Sequence, residues 1–352
     1  MKLLPIFLVI LSTLTILAAA SKSCNCINIS DCSAADALIR KGPETYDIIL
    51  KAMCEYDVKM PKVCCNKFVS TGSRSGIDIT SEASLLPTEC GNISGERIVG
   101  GKVADMYAFP WMALIIHKKR NRFDFGCGGT IINSKYILTA AHCVDSTVEV
   151  VAVRVGEYNI DTNLDCTGFG EYRKCETYED FAIAKTIIHE EWTTEPVPKN
   201  DIALLRVEGD IDFTHKNVSP ICLPIAAELR NRDLTGAKAE VTGWGITDEG
   251  YSSSKLQQVT VSIYGNEFCR TQYMGRLPVY VEWNVTCAGS FLKDSCSGDS
   301  GGPLQVKSKY GDTHKYVQYG IVSFGPRQCG VNPGVYTDVT KYMDWILNNI
   351  KP

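Results

Sequence analysis

The sequence predicts an all-β protein with one helix at its C-terminus, preceded by a small module held together by disulfides. Beyond residue 98, apolar residues fall in many short, β-rich runs separated by Gly, Asn, Asp and Pro, which favours a barrel or sandwich over alternating strands and helices. Residues 338–350 carry apolar side chains at helical spacing, which predicts a helix packed on the β-structure. Ahead of this region, six of the 16 cysteines lie within residues 24–65.

The first twenty residues have the form of a secretory signal. Lys2 precedes an apolar run of about fifteen residues, and Ala18 to Ala20 are small enough for signal-peptidase cleavage. A membrane anchor is the alternative, but the run is short for a span and no stop-transfer charges follow it. We therefore expect residues 1–20 to be removed and the protein to be secreted, extracellular and without a membrane anchor.

The charge balance argues against a nucleic-acid partner. The 352 residues carry 36 basic and 40 acidic side chains, which gives a net charge of −4. Proteins that bind nucleic acid usually concentrate basic residues in a patch or stripe. This sequence has no such concentration, and we expect no nucleic acid among its partners.

The cysteines are expected to form disulfides, because secreted proteins fold in an oxidising compartment. A metal site at Cys24 and Cys26 is the alternative for the first pair. Six cysteines define a module at residues 21–66, which is too short to fold on a hydrophobic core alone. Disulfides would supply the missing stability.

The remaining cysteines predict a covalent tether to a large domain. Nine cysteines follow from Cys127 onward, and because nine is odd, Cys90 is expected to pair with one of them. Parity alone does not say which. Residues 67–97 are rich in Ser, Thr and Gly and indicate a linker, and residues 98–352 form the large domain.

Ser300 is the candidate nucleophile, within the segment DSCSGDSGGP. A neutral serine needs a histidine as base and an acid that orients this histidine. Among the five histidines, His142 stands out in LTAAHC, where a strand end meets a turn fixed by a cysteine, and the others are interpreted as surface or structural. Asp201, just before the apolar run IALLRV, is the candidate acid. Taken alone, each of the three is more often structural than catalytic.

Together, the segments TAAHC, NDIALL and GDSGGP, preceded by RIVGG, resemble the chymotrypsin-like serine proteases of the trypsin family over residues 98–352. The six-cysteine module, which ends in Cys64 and Cys65, resembles the clip domain of arthropod extracellular protease cascades. The resemblance implies a chymotrypsin-like double β-barrel behind a clip domain. It also implies a zymogen in a haemolymph-like fluid, acting in innate immunity through melanisation by prophenoloxidase or processing of a Toll ligand.

The resemblance assigns a role to each residue of the site. His142 would take the proton of Ser300, and Asp201 would orient His142. The N–H groups of Gly298 and Ser300 would bind the oxyanion of the tetrahedral intermediate. An intact set favours an active enzyme over the alternative, a non-catalytic homologue that acts as an adapter and commonly lacks the serine.

The resemblance also implies a specificity pocket. Asp294 corresponds to its floor, and Gly325 and Gly334 correspond to its walls. A carboxylate at the bottom of a slot favours substrates with Arg or Lys at the cleaved position. A solvated loop acid is the alternative interpretation of Asp294.

Activation is expected to follow cleavage between Arg97 and Ile98. In this family the new α-ammonium pairs with the acid before the catalytic serine, here Asp299, and orders the site. Arg97 is basic, so the activator would be another trypsin-like protease or this enzyme itself. The implied partners also include a protein substrate, such as a downstream zymogen or cytokine precursor, and a serpin inhibitor.

The resemblance implies the disulfide pairs as well. The six clip cysteines allow fifteen pairings, so the residues by themselves leave that connectivity open. The pairs that the family pattern implies are Cys24–Cys64, Cys26–Cys54, Cys32–Cys65, Cys90–Cys222, Cys127–Cys143, Cys166–Cys175, Cys269–Cys287 and Cys296–Cys329.

The loop GEYNIDTNLDC resembles a calcium-binding loop of several clip proteases. Its candidate ligands are the side chains of Glu157 and Asp165 and the backbone carbonyls of Asn159 and Thr162, which are the hard oxygen donors that Ca²⁺ prefers. A solvated acidic loop is the alternative.

Four Asn-X-Ser/Thr sequons predict glycosylation of a secreted protein. They lie at Asn28, Asn92, Asn217 and Asn284.

Overall fold

The computed structural model divides the chain into two compact units, Met1–Ile79 and Thr80–Pro352, and each is considered by itself. Among the described residues, no helix is long and apolar enough to cross a membrane. The described residues are 26–28, 32, 53–55, 62–64, 83–93, 102–120, 122–195, 197–245, 252–265, 268–269, 284–289, 299–325 and 333–352.

The first unit contains a small antiparallel sheet of three short strands, β1 (Cys26–Asn28), β2 (Met53–Glu55) and β3 (Lys62–Cys64). Strand β3 lies between the other two. Val63 is fully buried, as is Cys32, and both Cys32 and Cys64 are disulfide-bonded. Bonded cysteines therefore form much of the described interior, as expected for a module too short for a large apolar core.

The second unit begins with the strands of its first barrel. Its strands and the short ones near them are β4 (Lys102–Val103), β5 (Met112–Lys119), β6 (Arg122–Asn133), β7 (Tyr136–Thr139), β8 (Glu149–Val155), β9 (Asp165–Thr167), β10 (Lys174–Glu176), β11 (Glu179–Ile188) and β12 (Ala203–Val207). Six of these strands are antiparallel and close the barrel in the order β11-β12-β7-β6-β5-β8, and β9 pairs with β10 in a separate hairpin.

The second barrel follows in the chain. Its elements are α1 (Ala227–Arg230), β13 (Lys238–Gly243), β14 (Gln257–Tyr264), β15 (Val285–Gly289), β16 (Pro303–Tyr310), β17 (Thr313–Phe324), β18 (Gly334–Asp338) and α2 (Met343–Asn349). The strands pair in the order β13-β16-β17-β18-β15-β14. Strand β13 also pairs with β14, which closes the barrel, and β4 pairs with β14 at its other edge.

Buried polar side chains join the two barrels. Trp111, just before β5, donates its indole N–H to Gln305 on β16 at 2.8 Å, and the Gln305 amide donates to Thr242 on β13 at 3.2 Å. Thr130 on β6 donates to Gln318 on β17 at 2.6 Å. Polar groups that are buried away from water need such hydrogen-bond partners. These bonds therefore allow only a narrow range of positions of one barrel relative to the other.

The C-terminal helix α2 packs on the first barrel. Met343, Ile346 and Leu347 are buried in the same apolar cluster as Leu204 and Leu205 of β12. The prediction of an all-β protein with one C-terminal helix is confirmed, and the β-structure is a double barrel. The helix is shorter than the apolar spacing suggests because Val339–Lys341 forms a 3₁₀ turn, in which the Asp338 carboxylate accepts the N–H of Thr340.

Four disulfides are described in the second unit, with the same partners that the family resemblance implies. The Cys90–Cys222 bond ties the segment before the first barrel to the body of the domain across 132 residues. The other three are Cys127–Cys143, Cys166–Cys175 and Cys269–Cys287.

Candidate active site

Strand pairing brings His142 and Asp201 together although 59 residues separate them. His142 lies in the 3₁₀ turn Ala141–Cys143 that follows β7, and Asp201 lies just before β12. Thr139, the last residue of β7, is directly opposite Ala203, the first residue of β12. The Asp201 carboxylate accepts two hydrogen bonds from His142, one from the ring Nδ1–H at 2.8 Å and one from the backbone N–H at 3.0 Å. These two bonds fix both the imidazole and its backbone.

The Asp201 carboxylate is 2% exposed and has a third partner, which the sequence reasoning missed. The hydroxyl of Ser323, in β17 of the second barrel, donates to the same oxygen that binds the imidazole. Thr337 in β18 donates to the Asp201 backbone carbonyl at 2.8 Å. A buried carboxylate needs hydrogen-bond donors, and the second barrel supplies one to the side chain of Asp201 and one to its backbone. Sequence offers no local signal for Ser323, because its position depends on how the barrels pack.

Asn200 shapes the backbone that presents Asp201. Its φ is 54°, in the left-handed region that asparagine tolerates better than most residues. Its side chain donates to the Glu191 carbonyl at 2.9 Å and accepts the Tyr342 hydroxyl at 2.8 Å. Burial raises the pKa of Tyr342 to about 12, so this hydroxyl keeps its proton and remains a donor.

The pKa of His142 reflects two opposing effects. Burial lowers the pKa, but the hydrogen bond and negative charge of Asp201, with a smaller effect from the charge of Asp145, outweigh burial and raise it above the ordinary value of 6.5. The pair therefore stabilises the fold fully below pH 6.5, and this contribution is lost as the pH rises through the raised pKa. A base for a serine hydroxyl must be neutral before the reaction and gain a proton during it, and a nearby carboxylate favours this change.

Ser300 lies beside the same turn. Its backbone carbonyl accepts the N–H of Gly128 in β6 at 2.8 Å. The next residue, Gly301, has a φ of 79°, and an added Cβ would meet Thr139 and the sulfur of Cys143, which follows His142 in the chain. The structure thus brings the three candidate residues into one region. Within the described residues, no hydrogen bond yet joins the Ser300 hydroxyl to His142, as is common without a bound substrate.

Asp299 occupies a pocket formed by two glycines. Its carboxylate accepts the N–H of Gly245 at 3.0 Å, and an added Cβ at Gly243 or Gly245 would collide with it. Its predicted partner, the amino group of Ile98, lies outside the described residues, so that ion pair remains a prediction.

The two predicted wall glycines of the specificity pocket face each other. Gly325 directly follows β17, and Gly334 begins β18; a Cβ at Gly325 would lie 3.7 Å from the Cα of Gly334. Several other predicted site residues lie outside the described residues, namely Arg97, Asp294, Gly298, Cys24, Cys65, Cys296 and Cys329.

The predicted calcium loop brings oxygen atoms together. The Thr162 hydroxyl donates both to the Asn159 carbonyl and to the Asp165 carboxylate, so these two oxygens lie close to one another. The Glu157 carboxylate is completely buried, and burial raises its pKa, against the lowering effect of the Arg154 guanidinium 3.2 Å away. The charge of Asp165 raises this pKa further. Glu157 is buried, Asn159 and Asp165 are half-buried and Thr162 is exposed, and their carboxylate and carbonyl oxygens are the donor type that suits a hard cation.

The sequons differ in accessibility. Asn92 is exposed and accepts a hydrogen bond from Lys315 at 2.8 Å, and Asn284 is half-buried. Asn217 is only 5% exposed, and its amide nitrogen donates to the carbonyls of Gly156 and Thr177. A glycan would replace one of the two hydrogens on that nitrogen and so remove at least one of these bonds, and the site is buried, so the geometry argues against the predicted modification at Asn217. The side chain of Asn28 is not among those described.

Comparison with known proteins agrees with this architecture. The trypsin family model matches residues 98–346. The chain is 34% identical to the CLIP domain-containing serine protease HP8 of Bombyx mori, over 99% of this chain and 98% of that protein. It is 35% identical to Phenoloxidase-activating factor 1 of Holotrichia diomphalia, over 94% and 92% of the two chains. The chain belongs to the clip-domain serine proteases of the trypsin family.

A solved structure of this family has a similar fold. The Grass clip serine protease of the Toll pathway of Drosophila shares 32% identity with this clip-domain protease, with a TM-score of 0.65. The match covers 92% of this chain and 93% of the other. Melanization protease 1 of Drosophila melanogaster is 37% identical over 77% of this chain and 70% of its own.

His117 supports the turn that carries His142. It lies on β5 and is 4% exposed. Its Nε2–H donates a hydrogen bond to the backbone carbonyl of Cys143 at 2.8 Å. An added Cβ at Gly126, on the neighbouring strand, would collide with the imidazole ring. Burial lowers the pKa of His117, so the neutral form is favoured; its contribution to stability is present above pH 6.5 and is lost as the pH falls toward the lowered pKa.

Removing the His117 donor should slow catalysis without weakening substrate binding. His117→Leu should lower the kcat of peptide hydrolysis about fivefold at unchanged KM, because losing one hydrogen bond costs about 1 kcal/mol. His117→Gln retains a donor and should recover most of the loss, whereas Gly126→Ala should behave like His117→Leu. Steady-state kinetics on a cleaved peptide substrate would test this. An increase in KM with unchanged kcat would contradict the positioning role.

Proposed function

We propose that the protein is the secreted zymogen of a trypsin-like serine endopeptidase, in which Ser300, His142 and Asp201 form the catalytic triad. The observation that carries this proposal is the buried Asp201 carboxylate, which binds His142 at both its ring and its backbone while Ser300 lies beside the same turn. This arrangement holds the imidazole in the orientation and tautomer that a serine nucleophile requires.

The reaction proceeds in two stages in this account. The Ser300 hydroxyl attacks the substrate carbonyl as His142 takes its proton, and Asp201 stabilises the resulting imidazolium. The N–H groups of Gly298 and Ser300 bind the oxyanion; one such donor typically supplies about 3 kcal/mol. His142 then passes its proton to the leaving amine, and water hydrolyses the acyl-enzyme by the same sequence of proton transfers.

The proposed specificity is cleavage after Arg or Lys. Asp294 would form the floor of the pocket and pair with the cationic side chain of the substrate. The small residues Gly325 and Gly334 face one another, which supports an open slot between β17 and β18. Larger side chains at either position would obstruct a long substrate side chain.

The proposed switch is cleavage between Arg97 and Ile98. The new ammonium of Ile98 would pair with Asp299, whose carboxylate already accepts the Gly245 N–H in a pocket too tight for a Cβ at either neighbouring glycine. Because Asp299 directly precedes Ser300, this ion pair would order the backbone that presents the nucleophile and the oxyanion donors. Breaking a buried pair typically costs 3 to 5 kcal/mol, so the uncleaved form would be largely inactive.

The proposed setting is an extracellular proteolytic cascade of innate immunity. Relatives across most of the chain include Phenoloxidase-activating factor 1 and Melanization protease 1, and one similar solved structure is the Grass clip serine protease of the Toll pathway. In such a cascade the partners would be an upstream trypsin-like activator, a downstream zymogen or cytokine precursor, and a serpin. Asn28, Asn92 and Asn284 are the proposed glycosylation sites of the secreted protein.

Calcium is proposed as a structural ion of the loop 157–165. The carboxylates of Glu157 and Asp165 and the carbonyls of Asn159 and Thr162 would hold it, and the ion would offset the cost of a buried Glu157 carboxylate. Adding Ca²⁺ to chelator-treated protein should raise the Tm of the wild type and leave that of Asp165→Asn unchanged. If the wild type has the same Tm with Ca²⁺ and with chelator, the proposed calcium site is wrong.

The proposed function is tested by controlled activation. A trace of a trypsin-like protease should produce a new IVGG N-terminus, and hydrolysis of an arginyl amide should appear only after that cut. Ser300→Ala should be cut at the same bond and remain inactive, which is the matched control. The same new terminus in the wild type without activity on any basic substrate would contradict the enzyme and favour an adapter.

A further inference from the structure

A cavity of about 760 Å³ lies apart from the candidate active site, beside helix α1 and the hairpin that joins β16 to β17. None of its lining residues belongs to the candidate active site. Ile225, Leu229 and Tyr310 supply apolar surface, and Glu228 is the one acidic residue in the lining. The basic side chains, called the cationic rim below, are Arg232, Lys307, Lys309 and His314.

The cationic rim has no acidic partner within the described residues. Lys309 lies directly opposite His314 in the β16–β17 register, so the hairpin places no acidic side chain across from this lysine. The Lys307 ammonium lies 5.0 Å from the centre of the Tyr316 ring, and Arg232 donates to the Ser308 hydroxyl at 2.9 Å. These contacts orient the charges without neutralising them.

Several other cations of the same domain form ion pairs, unlike those of the cationic rim. Many basic residues elsewhere form ion pairs, for example Lys118 with Glu149, Lys119 with Asp124, Lys135 with Asp210, Arg230 with Asp344 and Lys315 with Glu89. The cavity therefore carries a local excess of positive charge in a protein whose net charge is −4. Such a concave, single-sign site attracts an anionic ligand.

A second cavity of about 380 Å³ meets the first at Arg232. Its lining is mixed in charge, with Arg230 and Lys341 beside Asp233 and Asp338. The buried Nε of Arg230 has no hydrogen-bond acceptor although its Nη1 pairs with Asp344. An unused buried donor is uncommon in a folded protein. Two cavities in succession provide room for an extended ligand rather than for a single small anion.

We propose that these cavities form a docking site for an acidic peptide segment of a partner protein, one that carries an aliphatic or aromatic side chain between its carboxylates. The carboxylates bind the cationic rim, and the apolar side chain packs on Ile225, Leu229 and Tyr310. The apolar floor favours a peptide over a sulfated polysaccharide, which would gain little from it. The site does not depend on catalysis, so it holds for either an enzyme or an adapter.

Binding of a fluorescein-labelled peptide of glutamates with one central tyrosine, followed by anisotropy on the full-length protein, tests the proposal. The Kd should increase with ionic strength. The double variant Lys307→Glu with Lys309→Glu should raise the Kd at least about tenfold. The matched control, Lys185→Glu with Lys216→Glu, makes the same charge change at exposed lysines outside the cavity and should leave the Kd within about twofold.

Two further variants separate folding effects from binding effects. Lys309→Glu alone changes an exposed side chain and should weaken binding without altering the Tm. Tyr310→Ser should weaken binding of the tyrosine-containing peptide more than binding of a peptide of glutamates alone. Equal loss in the control variant, an unchanged Kd in the double variant, or no binding by the wild type would overturn the proposal. Binding of a heparin fragment without binding of the peptide would assign the site to a polysaccharide instead.

Discussion

The candidate site depends on one buried carboxylate and the donors that surround it. Asp201 is almost completely buried, and a polar group taken out of water without partners costs free energy. Three donors offset this cost: the ring and backbone of His142 and the hydroxyl of Ser323. Two come from the first barrel and one from the second, so the hydrogen bonding of this carboxylate requires both barrels.

The junction between the barrels is correspondingly polar. Trp111 and Thr130 of the first barrel donate to Gln305 and Gln318 of the second, and all four residues are fully buried. Apolar surfaces alone tolerate small shifts, whereas buried hydrogen bonds are lost when their partners separate by a fraction of an ångström. This constraint keeps Ser323 within reach of Asp201. Tyr342, the residue just before helix α2, adds a further restraint, because its hydroxyl binds the side chain of Asn200, the residue before Asp201.

Local sequence was sufficient for some features and insufficient for others. The fold class follows from short apolar runs and turn residues, and the three candidate catalytic residues follow from long motifs in a fixed order. Ser323 and His117 were beyond reach because their roles arise from contacts between distant strands. Asn217 shows the opposite failure: its sequon is complete, but its amide is used inside the domain. A pattern of three residues carries no information about burial.

The same limit applies to charge. The sequence shows a mild net charge, and only the pairing of β16 with β17 places Lys309 opposite His314 beside a cavity. Local basic excess is therefore compatible with a slightly acidic chain. Likewise, the sequence suggests an acid for His142, but it does not show whether the pKa of the imidazole is raised by Asp201 or lowered by burial.

The most direct test of the account is an NMR titration of the His142 imidazole in the intact protein, with Asp201→Asn for comparison. The account predicts a pKa above 6.5 in the wild type and a lower value in Asp201→Asn, because the hydrogen bond and charge of Asp201 are the main effects that oppose burial. A wild-type pKa at or below 6.5, or one that does not change in Asp201→Asn, would show that the carboxylate does not control the base.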